Sequence, residues 1–555
     1  MRNKLVENKK FKTEISPLAD KKAKPESVKN TSELLKQGLE LHKLGQIDKA
    51  KAFYEQILKF EPNHFDAIQL LGAIATQTKQ WQVALELFSK ASQINPFNVN
   101  VFCNKGIVLK ELGFLDQALV SLSSAINLNV NHAESYMNRG LVFKRLNRLD
   151  DALKDLTRAI ELRCDYAEAY SNYASALESI DKLDDAFVSY NKAIEINPKL
   201  YEAYCNRGNL LRIKRRFIEA QNDYDSAINL NTSTGNAYAY KSTLLLLTGD
   251  LSAGFELYEW RFKAEFGFNR LRALLPDHSK WQGRESLVNK RILIYSEQGL
   301  GDTLQFCRYL KLVSNLGAHV IFMVQGPLIN LLNNLDGVDE IRHENTGLPE
   351  FDFHCPLMSL PLAFKTTLDS IPNQIPYIKA DLDKAAYWQK KLSNSTKLKV
   401  GLVWSGGFKV QAELWTMNNR RNLPLGHLNV FKDLNIDFFS LQKGEPAESE
   451  FKALKQGGKI ELNINDYGDE LKDFTDTAAL IHNLDLVISV DTSTAHLAAA
   501  MGKPVWILSR YDGCWRWMLN KPDSPWYPSV KLYAQSIMGD WQSVCEKIRV
   551  DLLSY

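Results

Sequence analysis

From residue 31 to residue 262 small and bulky positions recur every 34 residues. A small residue stands at Gly38, Gly72, Gly106, Gly140, Ala174, Gly208 and Ser242, and a second at Ala50, Ala84, Ala118, Ala152, Ala186, Ala220 and Gly254. A bulky residue follows at Tyr54, Phe88, Leu122, Leu156, Tyr190, Tyr224 and Tyr258, and Ala91, Ala125, Ala159, Ala193 and Ala227 complete an apolar stripe of helical spacing. Pro62, Pro96 and Pro198 fall where the second helix of a unit would end and a missing N–H costs little. The pattern predicts about seven helix-turn-helix units whose paired helices approach closely at fixed points.

In phase, spacing and residue size this array resembles the tetratricopeptide repeat. The resemblance implies a stacked solenoid with a concave surface that binds an extended peptide or another protein. Asn104, Asn138, Asn172 and Asn206 each precede the small marker by two residues. An asparagine repeated in register offers a row of amides that donate to and accept from a peptide backbone, so these four are the candidate partner-binding residues. Hydrogen bonding between repeats is their alternative employment.

After Trp260 and Arg261 the rhythm stops, and a connector, residues 263–289, contains Pro276, Trp281 and Gly283. Alternating strand and helix signals follow. In residues 290–385 they predict strands at Arg291–Ser296, His319–Gln325, Asp339–His343 and Phe351–Pro356. In residues 386–555 they predict strands at Lys399–Trp404, Phe438–Leu441, Ile460–Leu462, Leu484–Val490, Pro504–Leu508 and Val530–Tyr533. A last helix, Trp541–Leu553, can cross back towards the first of these two regions. The expected fold is an α-solenoid followed by an α/β pair of Rossmann-like domains facing a cleft, the arrangement of GT-B glycosyltransferases.

Composition narrows the partners. The chain has 555 residues, is 45% hydrophobic and carries a formal net charge of +3, so no global field favours nucleic acid or an anionic membrane. Residues 1–30 form a Lys-rich tail with Pro17 and Pro25, predicted to lack fixed structure, and no apolar run suggests a signal peptide or membrane span. Seven scattered cysteines without a CxxC pair fit reduced thiols and a cytoplasmic location. Peripheral membrane contact through the tail stays open.

Two loops carry the candidate chemistry. Gln298-Gly299-Leu300-Gly301-Asp302 follows the first predicted strand and opens a helix. Its glycines let the backbone turn sharply and a ligand approach, but Leu304 holds the place of a third glycine, which disfavours a dinucleotide site. Asp302 in the first helical turn can take a proton from an attacking acceptor, or can serve only as a favourable acid at a helix start. Asp491-Thr492-Ser493-Thr494-Ala495-His496 ends another strand and starts a helix, where free backbone N–H groups attract a diphosphate.

Ser405, Gly406 and Gly407 end the first strand of the second domain. Arg421, next to Arg420, supplies a permanent cation for a departing nucleoside diphosphate. Asp381-Leu382-Asp383 has metal-binding spacing, yet helix capping explains it better, and no metal or cofactor is expected beyond the nucleotide-sugar substrate. Trp515, Trp517, Trp526 and Tyr527 either stack on a base or sugar or pack the two sheet domains together, with Arg516 facing the opposite side from its neighbours.

The two loops resemble those of the lipopolysaccharide heptosyltransferases, which use ADP-heptose. Tyr258-Glu259-Trp260-Arg261, Glu297–Asp302, Trp515-Arg516-Trp517 and Trp526-Tyr527-Pro528 are together similar to bacterial proteins that fuse tetratricopeptide repeats to a heptosyltransferase-like domain. The resemblance implies a metal-independent inverting glycosyltransferase with Asp302 as base. It further implies Gln298, Gly299, Gly301, Ser405, Gly406, Arg421, Asp491, Thr492, Ser493, Thr494 and His496 as substrate-binding residues. The acceptor, for which a protein is one candidate, would be selected partly by the repeats. The alternatives are a scaffold with a degenerate transferase domain, and a transferase for a lipid-linked glycan at the inner membrane face.

Overall fold

The computed structural model describes residues 26–264, 274–394, 396–407 and 415–555. The chain forms two compact units, divided after Val142. Most of the Lys-rich tail lies outside the described residues, whereas Glu26–Asn30, assigned to it from sequence, belong to the first helix, Glu26–Lys43.

Paired helices of the predicted period run from that helix to Leu251–Tyr258. In four of the pairs the small and bulky markers are seen to meet. A Cβ added at Gly38, Gly72, Gly106 or Gly208 would come within 2.9 Å of Tyr54, Phe88, Leu122 or Tyr224, so the recurring glycines set how closely the helices approach. The turn inside each pair holds one residue at positive φ, and in four pairs this is Lys79, Asn147, Asp181 or Arg215 rather than glycine.

Two parallel sheets follow. The first holds β1 (Arg291–Tyr295), β2 (His319–Val324), β3 (Glu340–His343) and β4 (Phe353–Pro356) in the order β3-β2-β1-β4. The second holds β5 (Leu398–Val403), β6 (Ile436–Ser440), β7 (Ile464–Asp466), β8 (Leu486–Val490), β9 (Val505–Ser509) and β10 (Val530–Ala534) in the order β10-β9-β8-β5-β6-β7. Every pairing is parallel. Burial on both faces explains why β1 and β8 read as nearly continuous apolar runs. In each sheet the strand order reverses, between β1 and β4 and between β5 and β8, and such reversals open a crevice beyond the strand ends.

Three expectations shift. The strand expected at Ile460–Leu462 forms at Ile464–Asp466 instead, because the Asn429 side chain accepts from the amides of Glu461 and Leu462 and withdraws them from the ladder. The last helix, Trp541–Ser554, does not cross back. Its Trp541, Val544, Cys545, Ile548 and Leu552 share an apolar cluster with Val400, Phe438 and Leu486 of the second sheet. The boundary drawn after residue 385 falls inside a helix, Leu382–Leu392, capped by the Asp381 side chain through the amides of Asp383 and Lys384, each at 3.0 Å. Asp381 is thereby occupied as a cap.

A single apolar cluster joins Leu251, Phe255 and Tyr258 of the last repeat to Ile292, Leu304 and Phe306 of the first sheet domain and to Ala495, Trp517 and Trp526 of the second. The repeat turns add polar contacts: Arg215 Nε donates to Tyr511 O at 2.8 Å and its guanidinium lies 4.0 Å above the Tyr511 ring. Arg420 Nε donates to Asp181 at 2.9 Å.

Candidate active site

The β1 loop ends in a helix, Leu300–Phe306, with Asp302 in its first turn. The Asp302 side chain is almost buried, and both of its oxygens are engaged. Oδ2 accepts from Gly299 N at 3.0 Å, and Oδ1 accepts from Arg516 Nε at 2.5 Å and also from Arg516 Nη2. Gln298 places its amide 2.7 Å from the Tyr258 hydroxyl. Gln325 fastens the same loop, donating from Nε2 to Gln298 O at 2.8 Å while its Oε1 accepts from Thr303 at 2.9 Å.

The β8 loop is built as a helix start. Thr492 is the N-cap of the helix Ser493–Ala500, and its hydroxyl accepts from Ala495 N at 3.2 Å, so its oxygen serves the cap. The first intrahelical bond runs from His496 N to Thr492 O at 3.3 Å, which leaves the amides of Ser493 and Thr494 ahead of the helical ladder. Asp491 through Thr494 are partly exposed. Asp491 Oδ1 accepts from Trp517 Nε1 at 2.7 Å. Burial opposes ionisation of Asp491, but His496, the Arg516 guanidinium and the indole N–H outweigh it and hold the carboxyl below its ordinary range.

His496 is 2% exposed, stacked on Trp517 at 4.5 Å, with Nδ1 3.1 Å from the Tyr527 hydroxyl. Burial lowers its pKa to about 4, so the ring is neutral at pH 7 and its faces and Nδ1 are spent on packing. The two loops abut. A Cβ on Gly301 would lie 2.9 Å from His496 Cδ2 and 3.5 Å from Ser493 Cα, so only glycine allows the helix bearing Asp302 to touch the helix that offers the Ser493 and Thr494 amides.

The β5 loop completes the constellation. Ser405 is held by Gln442, whose Oε1 accepts from Ser405 N at 2.9 Å and whose Nε2 donates to Ser405 O at 2.9 Å. Gly406 makes room for Arg421, because a Cβ there would lie 2.3 Å from Arg421 Cζ. Arg421 Nη2 donates to Gly407 O at 3.0 Å, and Nε is buried without a hydrogen-bond partner among the described residues. Burial lowers the Arg421 pKa while Asp491 opposes the shift. The adjacent arginines are thus separated by their surroundings: Arg420 is taken by Asp181 of the repeats, and Arg421 faces the β5 and β8 ends. Residues 408–414, part of the irregular segment between Ser405 and Arg421, lie outside the described residues.

Residues 514–528 strap the two sheet domains together. Trp515, Trp517, Trp526 and Tyr527 are buried, with Trp526 5.3 Å from Phe306 and Trp515 6.0 Å from Phe306 and 5.8 Å from Tyr258. These rings pack and are not open stacking platforms. Sequence reasoning missed Arg516. It set this residue apart by alternation with the tryptophans, and its partner lies more than two hundred positions earlier in the chain.

Sequence reasoning also missed how the last repeat is wired to the β1 loop. Arg261 forms a double hydrogen bond to Glu297, Nε to Oε2 at 3.0 Å and Nη2 to Oε1 at 2.8 Å, and Nη1 donates to Glu259 at 2.8 Å. Glu259 also accepts from Lys280 at 2.5 Å and Ser359 at 2.6 Å. Burial opposes its ionisation, but Arg261 and Lys280 prevail and lower its pKa to about 2. The periodic bulky position Tyr258 was legible, but not that its hydroxyl reaches Gln298.

Among the candidate partner residues, Asn104, Asn172 and Asn206 are partly exposed. Asn138 differs: it is 4% exposed and its Nδ2 donates to Glu134 O at 2.9 Å within its own helix, which spends the amide there.

The family model for glycosyltransferase family 9 (heptosyltransferase) matches residues 472–509, a stretch that includes β8, the Asp491–His496 turn and β9. Tetratricopeptide-repeat models match residues 34–64, 137–200 and 189–222. Protein FlbA of Caulobacter vibrioides is 27% identical over 334 residues, 56% of this chain and 54% of that protein, so the chain spans about half the length of this curated relative. Similar solved structures include a thermophilic TPR protein from Thermus thermophilus, 27% identical with a TM-score of 0.30 over 33% of this chain and 98% of that one. A tetratricopeptide repeat protein from Parabacteroides merdae is 19% identical with a TM-score of 0.37 over 44% of this chain and 96% of that one. The chain therefore joins tetratricopeptide-like helical repeats to two parallel α/β sheets, and it is similar to glycosyltransferase family 9 (heptosyltransferase) across the segment that carries the Asp491–His496 turn.

Proposed function

We propose that this protein is a metal-independent, inverting glycosyltransferase that moves a sugar from a nucleoside-diphosphate donor to an acceptor chosen partly by its repeats. The observation that carries this reading is the abutment of the two loops, Gly301 against Ser493 and His496, which brings the helix that bears Asp302 against a helix start whose first amides precede its hydrogen-bond ladder. In the reaction Asp302 takes the proton of an acceptor hydroxyl or amide as that atom bonds to the anomeric carbon from the face opposite the diphosphate. The bond from the anomeric carbon to the diphosphate oxygen breaks, and the nucleoside diphosphate leaves with the electron pair. The amides of Ser493 and Thr494 and the Arg421 guanidinium meet the charge that develops on it, which gives the departure an electrophile without a metal ion. Asp491 binds sugar hydroxyls, and Ser405 and Gly406 line the approach to the diphosphate.

Partly exposed first-helix asparagines such as Asn172 and Asn206 support a peptide or protein acceptor held along the repeats. All seven cysteines are free thiols, which accords with a reducing compartment such as the cytoplasm. Among the described residues no helix is long and apolar enough to cross a membrane. The test is transfer or donor hydrolysis measured with a panel of nucleotide sugars. Asp302→Asn is expected to lower the turnover of the active donor by at least about a hundredfold, the lower end of what removal of a general base costs. Unchanged turnover would refute the assignment of Asp302 as base.

A further inference from the structure

Resting on that reading, we infer that Arg516 is a donor-operated clamp on the base: it holds Asp302 while the site is empty and moves to the donor diphosphate when one binds. In the structure both Asp302 oxygens are engaged: Gly299 N donates to Oδ2, and two nitrogens of Arg516 converge on Oδ1 and fill both of its lone pairs. The Arg516 guanidinium stands between the loops. It pairs with Asp302 of the β1 loop, lies 3.4 Å from Gln298 Oε1, and acts on the charge of Asp491 at the β8 loop. Trp515 supports it from behind, with the ring centroid 4.5 Å from Cζ, and Nη1 is 3.7 Å from Cys514 Sγ, so its remaining contacts are weak ones. The other nearby guanidiniums are committed differently: Arg510 pairs with Asp512 at 3.0 Å, and Arg421 bonds to Gly407 O.

A diphosphate at the amides of Ser493 and Thr494 offers this guanidinium more charge and more acceptor oxygens than one carboxylate, in a geometry that its planar fork matches. Transfer of Arg516 to the diphosphate leaves Oδ1 of Asp302 open towards the acceptor. No covalent bond changes in this step. The base therefore becomes competent only with donor in place, and the donor binds before the acceptor.

Competition between Asp302 and phosphate for one arginine supplies the test. The full-length protein is titrated calorimetrically with ADP, GDP and UDP in four forms: unchanged, Asp302→Asn, Arg516→Met and the double variant. Asp302→Asn removes the competing charge and is expected to tighten the bound nucleotide about tenfold, the size of a charge-assisted hydrogen bond. Arg516→Met is expected to weaken it by a similar factor, and the double variant is expected to match Arg516→Met alone. Equal or weaker binding by Asp302→Asn, with nucleotide still bound by the unchanged protein, would overturn the clamp and leave the sugar-transfer reading standing. Failure of all three nucleotides to bind the unchanged protein would overturn both. Should Asp302→Asn not fold, the donor KM and kcat of Arg516→Met decide: a raised KM with kcat retained supports the clamp, and an unchanged KM overturns it.

Discussion

Arg261 and Glu297 form a double hydrogen bond, with their side chains 5% and 2% exposed, and so tie the last repeat to the loop that ends in Asp302. Withdrawing one member of such a pair leaves a buried charge without its counter-ion, at a cost of about 3–5 kcal/mol. Arg261→Met, which strands Glu297, is expected to lose stability on that scale in urea unfolding, and Glu297→Met is expected to lose less, because Arg261 keeps Glu259 at 2.8 Å. The double variant is expected to lose less than the sum of the two, because Glu259 keeps Lys280. Additive losses would show that the two side chains act independently.

Gly301 is where the two loops touch. Gly301→Ala sets a methyl 2.9 Å from His496 Cδ2, with Ser493 backbone close behind, so the helices must separate by several tenths of an ångström. Overpacking of this kind costs about 1–3 kcal/mol. The expected result is a lower melting temperature together with a loss of turnover larger than any loss of nucleotide affinity. Unchanged turnover would mean that the abutment does not set the reacting geometry.

The buried His496 gives stability a pH dependence of known sign. Its folded pKa, lowered to about 4 by burial, lies below the unfolded value, so the unfolded chain binds the extra proton between these two pH values. The contribution is full above about pH 6.5 and is lost as the pH falls to about 4, amounting to about 3 kcal/mol across the window. Unfolding free energies measured from pH 7 to pH 4 on the unchanged protein and on His496→Gln are expected to differ in slope. Parallel curves would contradict a neutral His496.

Arg420 and Arg421 are neighbours with different surroundings. Arg420→Ala removes a partly exposed ion pair to Asp181, worth about 1 kcal/mol or less, and is expected to leave nucleotide affinity unchanged. Arg421→Ala is expected to weaken nucleoside diphosphate binding by about tenfold or more, as loss of a charge-assisted phosphate contact does. Calorimetric titration of both variants separates the two, and equal effects would remove Arg421 from the donor site.

Much of this architecture is legible in the chain because it rests on steric rules of fixed period. The pairing of Gly208 with Tyr224 follows from small and bulky residues at constant offset, and the β1 and β8 runs follow from burial on both faces. What stayed hidden depends on side chains that act across long separations. Asn429 displaces β7 by taking two backbone amides, and Asn138 turns its amide back to Glu134, and neither leaves a mark in hydrophobic spacing. Arg516 was obscured because residues 514–528 follow no period, so alternation along that segment does not give the direction of a side chain.

Binding of a nucleoside-diphosphate sugar where β5 and β8 end is tested most directly by thermal unfolding of the full-length protein against a panel of nucleotide sugars, with Arg421→Ala run alongside. A donor present at about 100 times its dissociation constant should stabilise the unchanged protein by about 2.7 kcal/mol, and Arg421→Ala should lose most of that gain. Millimolar nucleotide sugars that leave the unfolding transition of the unchanged protein where it was would contradict a donor site at these strand ends.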